Sequence, residues 1–479
     1  PTFNEFFGFE PKPAFRVFGA DGQEVAYQRL GQAMGRAKTR IRAVKFPEAY
    51  RTNDVEVSLR LRVPAMGYTT LTVKRGETHR IGTAEVALPT RHPEAKGLAT
   101  SECSMANESI GVTIEPNGTL AIADLRTGHG YRRLLTFEDV ADIGDGWYHG
   151  VAINDQCFTS TGAHAEIALV HNGPLLTTFR VRTTMHVPAE FDFRAMRRSE
   201  EFTPLVIDSL VSLRPGGDRV EVVTTVHNAA RDHRLRVLFP SGASAETYLA
   251  DSIYDVVRRP IALRADNHLY RELEVETKPQ QTWTAVSAQG RGLAIISEGL
   301  LESAVRDVPD RPVALTLLRA TRRTVMTDSQ PEGQLPGEWT FRYWIAPLAG
   351  EPDAVRLSLY GQGLAAGLRN VQLRPADLDL YAAPRALAAE ASFLQVTGDL
   401  VLSSARRVGA ALEVRLYNPT TRPADGELRL GRMARDGGAF TACQPVDLES
   451  NPLGERRAFS GGEVRVTLRP KEILTLRLT

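Results

Sequence analysis

Asn228-Ala-Ala-Arg-Asp-His-Arg-Leu-Arg-Val-Leu-Phe-Pro-Ser-Gly242 is the stretch whose reading decides the fold. From Arg234 to Phe239 it alternates, with Leu235, Val237 and Phe239 on one side and Arg234, Arg236 and Leu238 on the other. A period of two is the signature of a strand with one buried and one partly polar face. Asp232-His233 stands at its entrance and Pro-Ser-Gly closes it, so the segment reads as turn, strand, turn. In the strand reading Leu235, Val237 and Phe239 go to the core, and Asp232 and His233 fix the turn by hydrogen bonds rather than act directly.

The same alternation recurs outward from this strand. Val55 to Val63 alternates and stops at Pro64. Ile110 to Ile114 and Thr119 to Ile122 flank Glu-Pro-Asn117-Gly118, a hairpin in which Asn117-Gly118 supplies positive φ angles. Val220–Val226, Leu412–Leu416, Val464–Leu468 and Ile473–Leu478 repeat the pattern. Short helices are expected only at Ala354–Leu368 and Arg385–Phe393. No alternation of strands with helices is present, which counts against a parallel barrel or a dinucleotide fold. The fold class is mainly β, built from antiparallel sandwiches. Punctuation at His92–Ser101 and again at Leu348–Asp353 and Leu373–Asp377 divides the 479 residues. The expected parts are a small β domain with its linker (1–100), a large sandwich (101–352), and a linker with a terminal sandwich (353–479).

Net charge is +1 with 24% charged residues, so bulk electrostatics gives no reason to expect a nucleic-acid partner. No run of about 18 apolar residues exists, so no membrane partner is expected. Three scattered cysteines, Cys103, Cys157 and Cys443, form no disulfide framework and no metal-type pair. That favours a reducing compartment, and a cytoplasmic location is the expectation. Of the 58 basic residues seven are Lys, leaving 51 Arg. The chain opens Pro-Thr-Phe-Asn-Glu with no Met and no signal pattern, and reads as a piece of something longer.

Motifs for zinc proteases, nucleophile elbows, phosphate loops and Cys-x-x-Cys are absent from the sequence. His164-Ala-Glu166 lacks the Cys pair of a zinc deaminase and reads as a polar strand face. The suggestive cluster is Glu138-Asp139-Val-Ala-Asp142-Ile-Gly-Asp145-Gly-Trp147-Tyr148-His149. Carboxylates grip sugar hydroxyls while aromatic faces stack on a ring. The competing reading is a surface loop with Trp147 tucked into the core. Leu317-Leu-Arg-Ala-Thr-Arg-Arg323 offers guanidinium forks to a ligand, or is a strand with a solvated Arg face.

Taken in order, Asn107-Glu-Ser-Ile-Gly-Val, Asn117-Gly-Thr-Leu, Asp142-Ile-Gly-Asp-Gly-Trp-Tyr, Asp232-His-Arg-Leu-Arg-Val-Leu-Phe-Pro240, Ala314-Leu-Thr-Leu-Leu-Arg319, Gly337-Glu-Trp-Thr-Phe-Arg-Tyr343 and Leu416-Tyr-Asn-Pro-Thr420 resemble the C-terminal β-rich half of class II α-mannosidases. These are the family 38 glycoside hydrolases, and the likeness is to their bacterial, mannosylglycerate hydrolase-like branch. The resemblance implies that 101–352 is a supersandwich similar to that of galactose mutarotases. It implies a zinc-dependent retaining hydrolase of α-mannosides whose nucleophile and zinc ligands lie in a barrel that this sequence lacks. No catalytic and no metal-ligating residue is therefore assigned here, and no cofactor is expected in this chain, zinc being expected in the complete enzyme. Alone the chain is expected to be inactive.

The expected partners are that catalytic barrel, on the same polypeptide, and a mannose-containing carbohydrate; an oligomer is compatible with the sequence. By the same resemblance Trp147 or Tyr148 reaches the sugar, and Asp145 and Arg319 join them as substrate-binding candidates. Two other readings stand beside this one. The chain is a free-standing carbohydrate-binding or scaffold sandwich, or it is an independent mutarotase-like sugar enzyme drawing on His149, His164 and Asp145.

Overall fold

The computed structural model describes residues 14–479 apart from 43–44, 77–78, 82–83, 87–90, 95, 324–330, 374–387 and 432–439. Two antiparallel sheets form the centre. One has six strands in the order Phe158–Thr159, Thr136–Ala141, His233–Pro240, Pro312–Ala320, Glu302–Val305, Lys278–Pro279. The other has nine, running Ala165–Asn172, Thr177–Pro188, Phe202–Leu213, Val220–Asn228, Gly337–Leu348, Arg291–Ser297, Trp283–Ala288, Thr247–Ser252, Asp255–Pro260. A five-stranded sheet over 99–134 joins the same core. Residues 394–478 make a terminal sandwich of three and five strands with a core of its own.

The signature strand His233–Pro240 sits inside the six-stranded sheet, between Thr136–Ala141 and Pro312–Ala320. Leu235, Val237 and Phe239 enter the main core, and the Phe239 ring meets Tyr343 of the nine-stranded sheet edge-on at 5.8 Å. Leu238, on the other side, packs against Ala304 and Ala314. Asn228 ends a strand of the nine-stranded sheet and His233 begins one of the six-stranded sheet, so residues 229–232 are the crossover between layers. Asp232 takes φ +52° there.

That crossover is held by buried polar groups. The His233 ring, fully buried, reaches Asp139 Oδ2 with Nδ1 at 2.5 Å and Asn228 Oδ1 with Nε2 at 3.0 Å. Asn228 Nδ2 donates to the Leu335 carbonyl at 2.9 Å, which turns its Oδ1 toward the imidazole. Arg198 Nη2 donates to Asp139 Oδ1 at 2.5 Å, with both side chains out of water. Gln334 exchanges bonds with Asp232, accepting from its N–H and donating to its Oδ1. Asp232 and His233 thus do what the strand reading gave them to do.

Details differ from the sequence reading in physically readable ways. The hairpin turn after Ile114 needs only Gly118 at positive φ (+85°), because Asn117 serves instead as an acceptor for Thr119 N–H. The strand expected at Val55–Val63 runs Lys45–Leu59 and pairs with Tyr27–Arg42 as a long two-stranded arm. Ala354–Ala366 is a helix, capped by Asp353 accepting from Arg356 N–H. It lies so close to the nine-stranded sheet that a Cβ on Gly361 would meet Thr282 Oγ1 at 2.0 Å. The helix expected at Arg385–Phe393 falls partly outside the described residues, and Glu390–Ser392 within it is a strand paired with Gly67–Thr69. Of the Leu373–Asp377 boundary, residues 374–377 lie outside the described residues. No helix among the described residues is long and apolar enough to cross a membrane.

The Asp139 pair gives a stability test. Removing one member of a buried ion pair costs about 3–5 kcal/mol because the other charge stays buried without a partner. Asp139→Asn leaves Arg198 in that position. Urea unfolding followed by near-ultraviolet circular dichroism is expected to show a loss of that size, and an unchanged midpoint would remove Asp139 from its structural role.

Candidate functional site

Alternation sends every second residue of the six-stranded sheet away from the core. On Thr136–Ala141 and His233–Pro240 these are Glu138 opposite Arg236 and Val140 opposite Arg234. On Pro312–Ala320, Arg319 stands opposite Arg234 and Thr316 opposite Arg236. Such a row of charges would ordinarily face water. Here the segment from Leu263 to Pro279 forms an opposing wall, and Arg234 and Arg236 are only 4% and 3% exposed. Between them lies a cavity of about 820 Å³, with Trp147, Tyr148, His149, Arg234, Arg236 and Glu276 among its lining. That volume is in the range of small-ligand sites.

The floor is an ion-pair lattice. Arg236 donates to Glu138 Oε1 from Nε at 2.9 Å and Nη2 at 2.6 Å, and to Glu276 from Nη1 at 2.6 Å. Arg306 Nη1 donates to the other Glu138 oxygen at 2.8 Å. Burial alone would raise the Glu276 carboxyl, but the Arg236 charge and hydrogen bond outweigh it and hold it below its ordinary value. Burial likewise opposes the Arg236 charge, and Glu138 and Glu276 more than offset it.

Arg234 differs. Its single side-chain hydrogen bond runs from Nη1 to Thr277 Oγ1 at 3.4 Å, and its Nε is buried without a partner. Burial, then repulsion from Arg236, depresses its guanidinium to about 10. His149 Nε2 lies 2.9 Å from the Ala141 carbonyl, an acceptor only, so Nε2 carries the proton and Nδ1 the lone pair. Burial, then the Arg234 charge, depresses this imidazole to about 4, and it is neutral at physiological pH.

The loop Asp142–Gly150 forms one rim. Asp142 Oδ1 accepts from the N–H groups of Gly144 and Gly150, closing the loop at its base. Arg319 clamps it from below, with Nε to Asp142 Oδ2 at 2.7 Å and Nη2 to the Asp145 carbonyl at 2.8 Å. Asp145 Oδ1 accepts from Trp147 and Tyr148 N–H. The aromatic side chains are thereby presented to solvent, Trp147 79% and Tyr148 58% exposed. Trp147 is not tucked into the core.

Of the four residues expected at the substrate, Trp147 and Tyr148 line the cavity, whereas Asp145 and Arg319 hold the loop that carries them. The Arg face at Leu317–Arg323 is not simply solvated, since the Arg319 side chain is 12% exposed. Of the set His149, His164 and Asp145, His149 alone lines the cavity, and His164 is exposed. Sequence reasoning missed Arg234, Arg236, Glu276 and Arg306. The available signal was two arginines at the non-core positions of a strand whose core face was already evident. Among the described residues no three His, Cys, Asp or Glu side chains are gathered to hold one metal ion, so the residues present do not fit a zinc site.

The same β architecture is found in solved glycoside hydrolases. An α-mannosidase from Enterococcus faecalis V583 superposes with a TM-score of 0.78 at 26% identity, over 99% of this chain and 52% of that one. A structure of a glycosyl hydrolase family 38 protein from Enterococcus faecalis gives 0.76 at 26% identity, over 98% and 53%. Residues 105–328 match the model of the glycosyl hydrolases family 38 C-terminal domain. A Halalkalibacterium halodurans protein bearing the provisional name mannosylglycerate hydrolase is 26% identical over 406 residues, 78% of this chain and 41% of that protein. The chain thus spans about half the length of the solved relatives and less than half of the curated one.

The electrostatics of the cavity predict a pH response. The unfolded chain binds a proton on His149 near pH 6.5, and the folded chain does so only near 4. This group's contribution to stability is therefore complete above pH 6.5 and falls as pH drops toward 4. Nuclear magnetic resonance of the imidazole is expected to show no titration between pH 5.5 and 8, with the midpoint moving upward in Arg234→Met. A midpoint near 6.5 in the parent chain would refute the assignment.

Proposed function

We propose that this chain forms the sugar-facing β wall of an α-mannosidase, with the catalytic groups supplied by a barrel on the same polypeptide. The observation that carries the reading is the Trp147–Tyr148 pair, held out at the cavity mouth by a loop that Asp142 and Arg319 stitch shut. An exposed aromatic pair on a rigid loop is a costly surface unless something stacks on it. Val151, Leu263, Leu273 and Leu301 are also exposed around that mouth, a rim fitted to lie against the rest of the protein. The family 38 match and the α-mannosidase named among the solved relatives supply the sugar.

In this reading the reaction is retaining hydrolysis. One carboxylate attacks the anomeric carbon while a second carboxyl group protonates the leaving oxygen. Neither is assigned to this chain. Zinc belongs to the barrel in the same reading. This chain's residues bind and orient: aromatic faces cover the apolar side of the ring, and the cavity walls exclude water. His149, neutral with a free Nδ1 lone pair, accepts a hydroxyl proton in a hydrogen bond.

Calorimetry with methyl α-mannoside tests the wall. The intact chain is expected to bind it, with Trp147→Ala or Tyr148→Ala weakening affinity about tenfold, or about 1.4 kcal/mol. Arg319→Met is expected to do the same by loosening the loop. Hydrolysis of an aryl α-mannoside by the chain alone is expected to be undetectable. Turnover by the chain alone, or binding indifferent to all three substitutions, would overturn the proposal.

A further inference from the structure

One charge on the cavity floor is balanced by nothing in the described chain. Arg236 is held by Glu138 and Glu276, Arg306 by Glu138, and Arg319 by Asp142. Asp155 accepts from the N–H groups of Ala141 and Gln156, and Glu274 is paired with Lys278. Arg234 has no ion pair among the described residues. Its Nε is buried without a partner, and its Nη1 makes one 3.4 Å bond to the neutral Thr277 hydroxyl. Asp142, Glu276 and Glu138 act on it only from a distance, and burial with the Arg236 charge outweighs them.

The mouth around this charge is apolar. Trp147, Val151, Leu273 and Leu301 line it and are exposed, and Ile153 and Leu269, close to them in sequence, are exposed as well. Large apolar side chains left in water mark a surface that another body covers. A buried arginine ringed by such side chains has the form of an interface hot spot, whose surroundings exclude water once the partner is seated.

We propose that Arg234 is the cationic half of an ion pair whose other half is an Asp or Glu side chain of the catalytic barrel, inserted into this cavity. This rests on reading the chain as the wall of a two-part enzyme, and it adds the contact that locks the parts together. A diffusible ligand would balance the guanidinium only while bound and leave it desolvated and alone at every departure. A side chain of the same polypeptide is always at hand, at the effective concentration of a tethered group. A carboxylate fits because its two oxygens match the fork of Nε and one Nη. One acidic side chain fills little of about 820 Å³ and leaves the mouth, with Trp147 and Tyr148, to the sugar. The rival within the chain is Glu302, which lines the cavity and has its Oε2 unpartnered. Its release would cost Arg319 little, since Arg319 keeps Asp142.

The test reads the sign of one substitution in two proteins. In this chain alone Arg234→Met is expected to leave the melting temperature unchanged or higher, because no carboxylate loses a partner. In the complete polypeptide it is expected to lower it by roughly 5 °C or more, because a barrel carboxylate is then buried unpaired. Arg234→Lys keeps the charge without the fork, and is expected to cost the complete polypeptide less and the chain nothing. It supplies the comparison if the Met variant does not fold. Replacing each barrel Asp and Glu by Asn or Gln is expected to find one position whose effect does not add to that of the Arg234 change.

Destabilisation of the chain alone would place the partner acid within it, at Glu302 first, and overturn the proposal. An unchanged melting temperature in the complete polypeptide would also overturn it. Hydrogen exchange separates that failure from failure of the wall reading. Slower exchange over 147–153 and 263–279 in the complete polypeptide than in the chain shows the mouth covered, and with no effect of Arg234 it sinks the ion pair only. Equal exchange in the two proteins sinks the wall reading and the ion pair together.

Discussion

The Asp139 carboxylate, buried between Arg198 and His233, is the constraint on which the layered arrangement rests. His233 passes the contact to Asn228, the last residue of a strand in the opposite sheet. One carboxylate thereby fixes where the chain leaves the nine-stranded sheet and where it enters the six-stranded one. Buried ionic groups are weak contributors to net stability, because their desolvation nearly cancels their attraction. Their effect is on register. A one-residue slip at His233 would turn Leu235, Val237 and Phe239 outward and bring Arg234 and Arg236 into the apolar core.

Register at that strand also determines the cavity. With His233 held, Arg234 and Arg236 must point away from the core, and the ladder to Pro312–Ala320 brings Arg319 alongside Arg234. Arg319 then organises the loop that carries Trp147 and Tyr148. Structure and site are linked by a short physical path: a buried carboxylate sets a strand, the strand aims three arginines, and one of them shapes a rim. Two of the three are satisfied by carboxylates of this chain. The third is the chemically distinctive one.

What was legible in the sequence follows from which forces act locally. Alternation in Arg234–Phe239, the Asn117-Gly118 turn and the helix expected at Ala354–Leu368 each depend on a few adjacent residues, and each lies close to the element observed. The order of motifs that resembles family 38 placed the large sandwich. Arg234 and Arg236 were read only as a partly polar face, because nothing near them announces that Leu263–Pro279, with little regular structure, will lie across them. Asp145 shows the converse limit. A carboxylate beside two aromatics looks like a ligand group, yet its Oδ1 accepts from the N–H groups of those same residues. Side-chain type names the candidates, whereas the competition between ligand and backbone for an acceptor is settled only in three dimensions.

The pairing of Gly67–Thr69 with Glu390–Ser392 has a bearing on how the molecule is made. Tyr68 Oη donates to the Ala388 carbonyl across 320 residues of sequence, so the earlier strand finds its partner only after the intervening residues have been synthesised. At roughly 5–20 residues per second that delay is on the order of tens of seconds. Closing so long a loop costs little more than closing a shorter one, since the entropy grows only with the logarithm of length. The penalty lies in time rather than in free energy. Through that interval Gly67–Thr69 is without this partner while the large sandwich, which lies between the two strands in sequence, is being made.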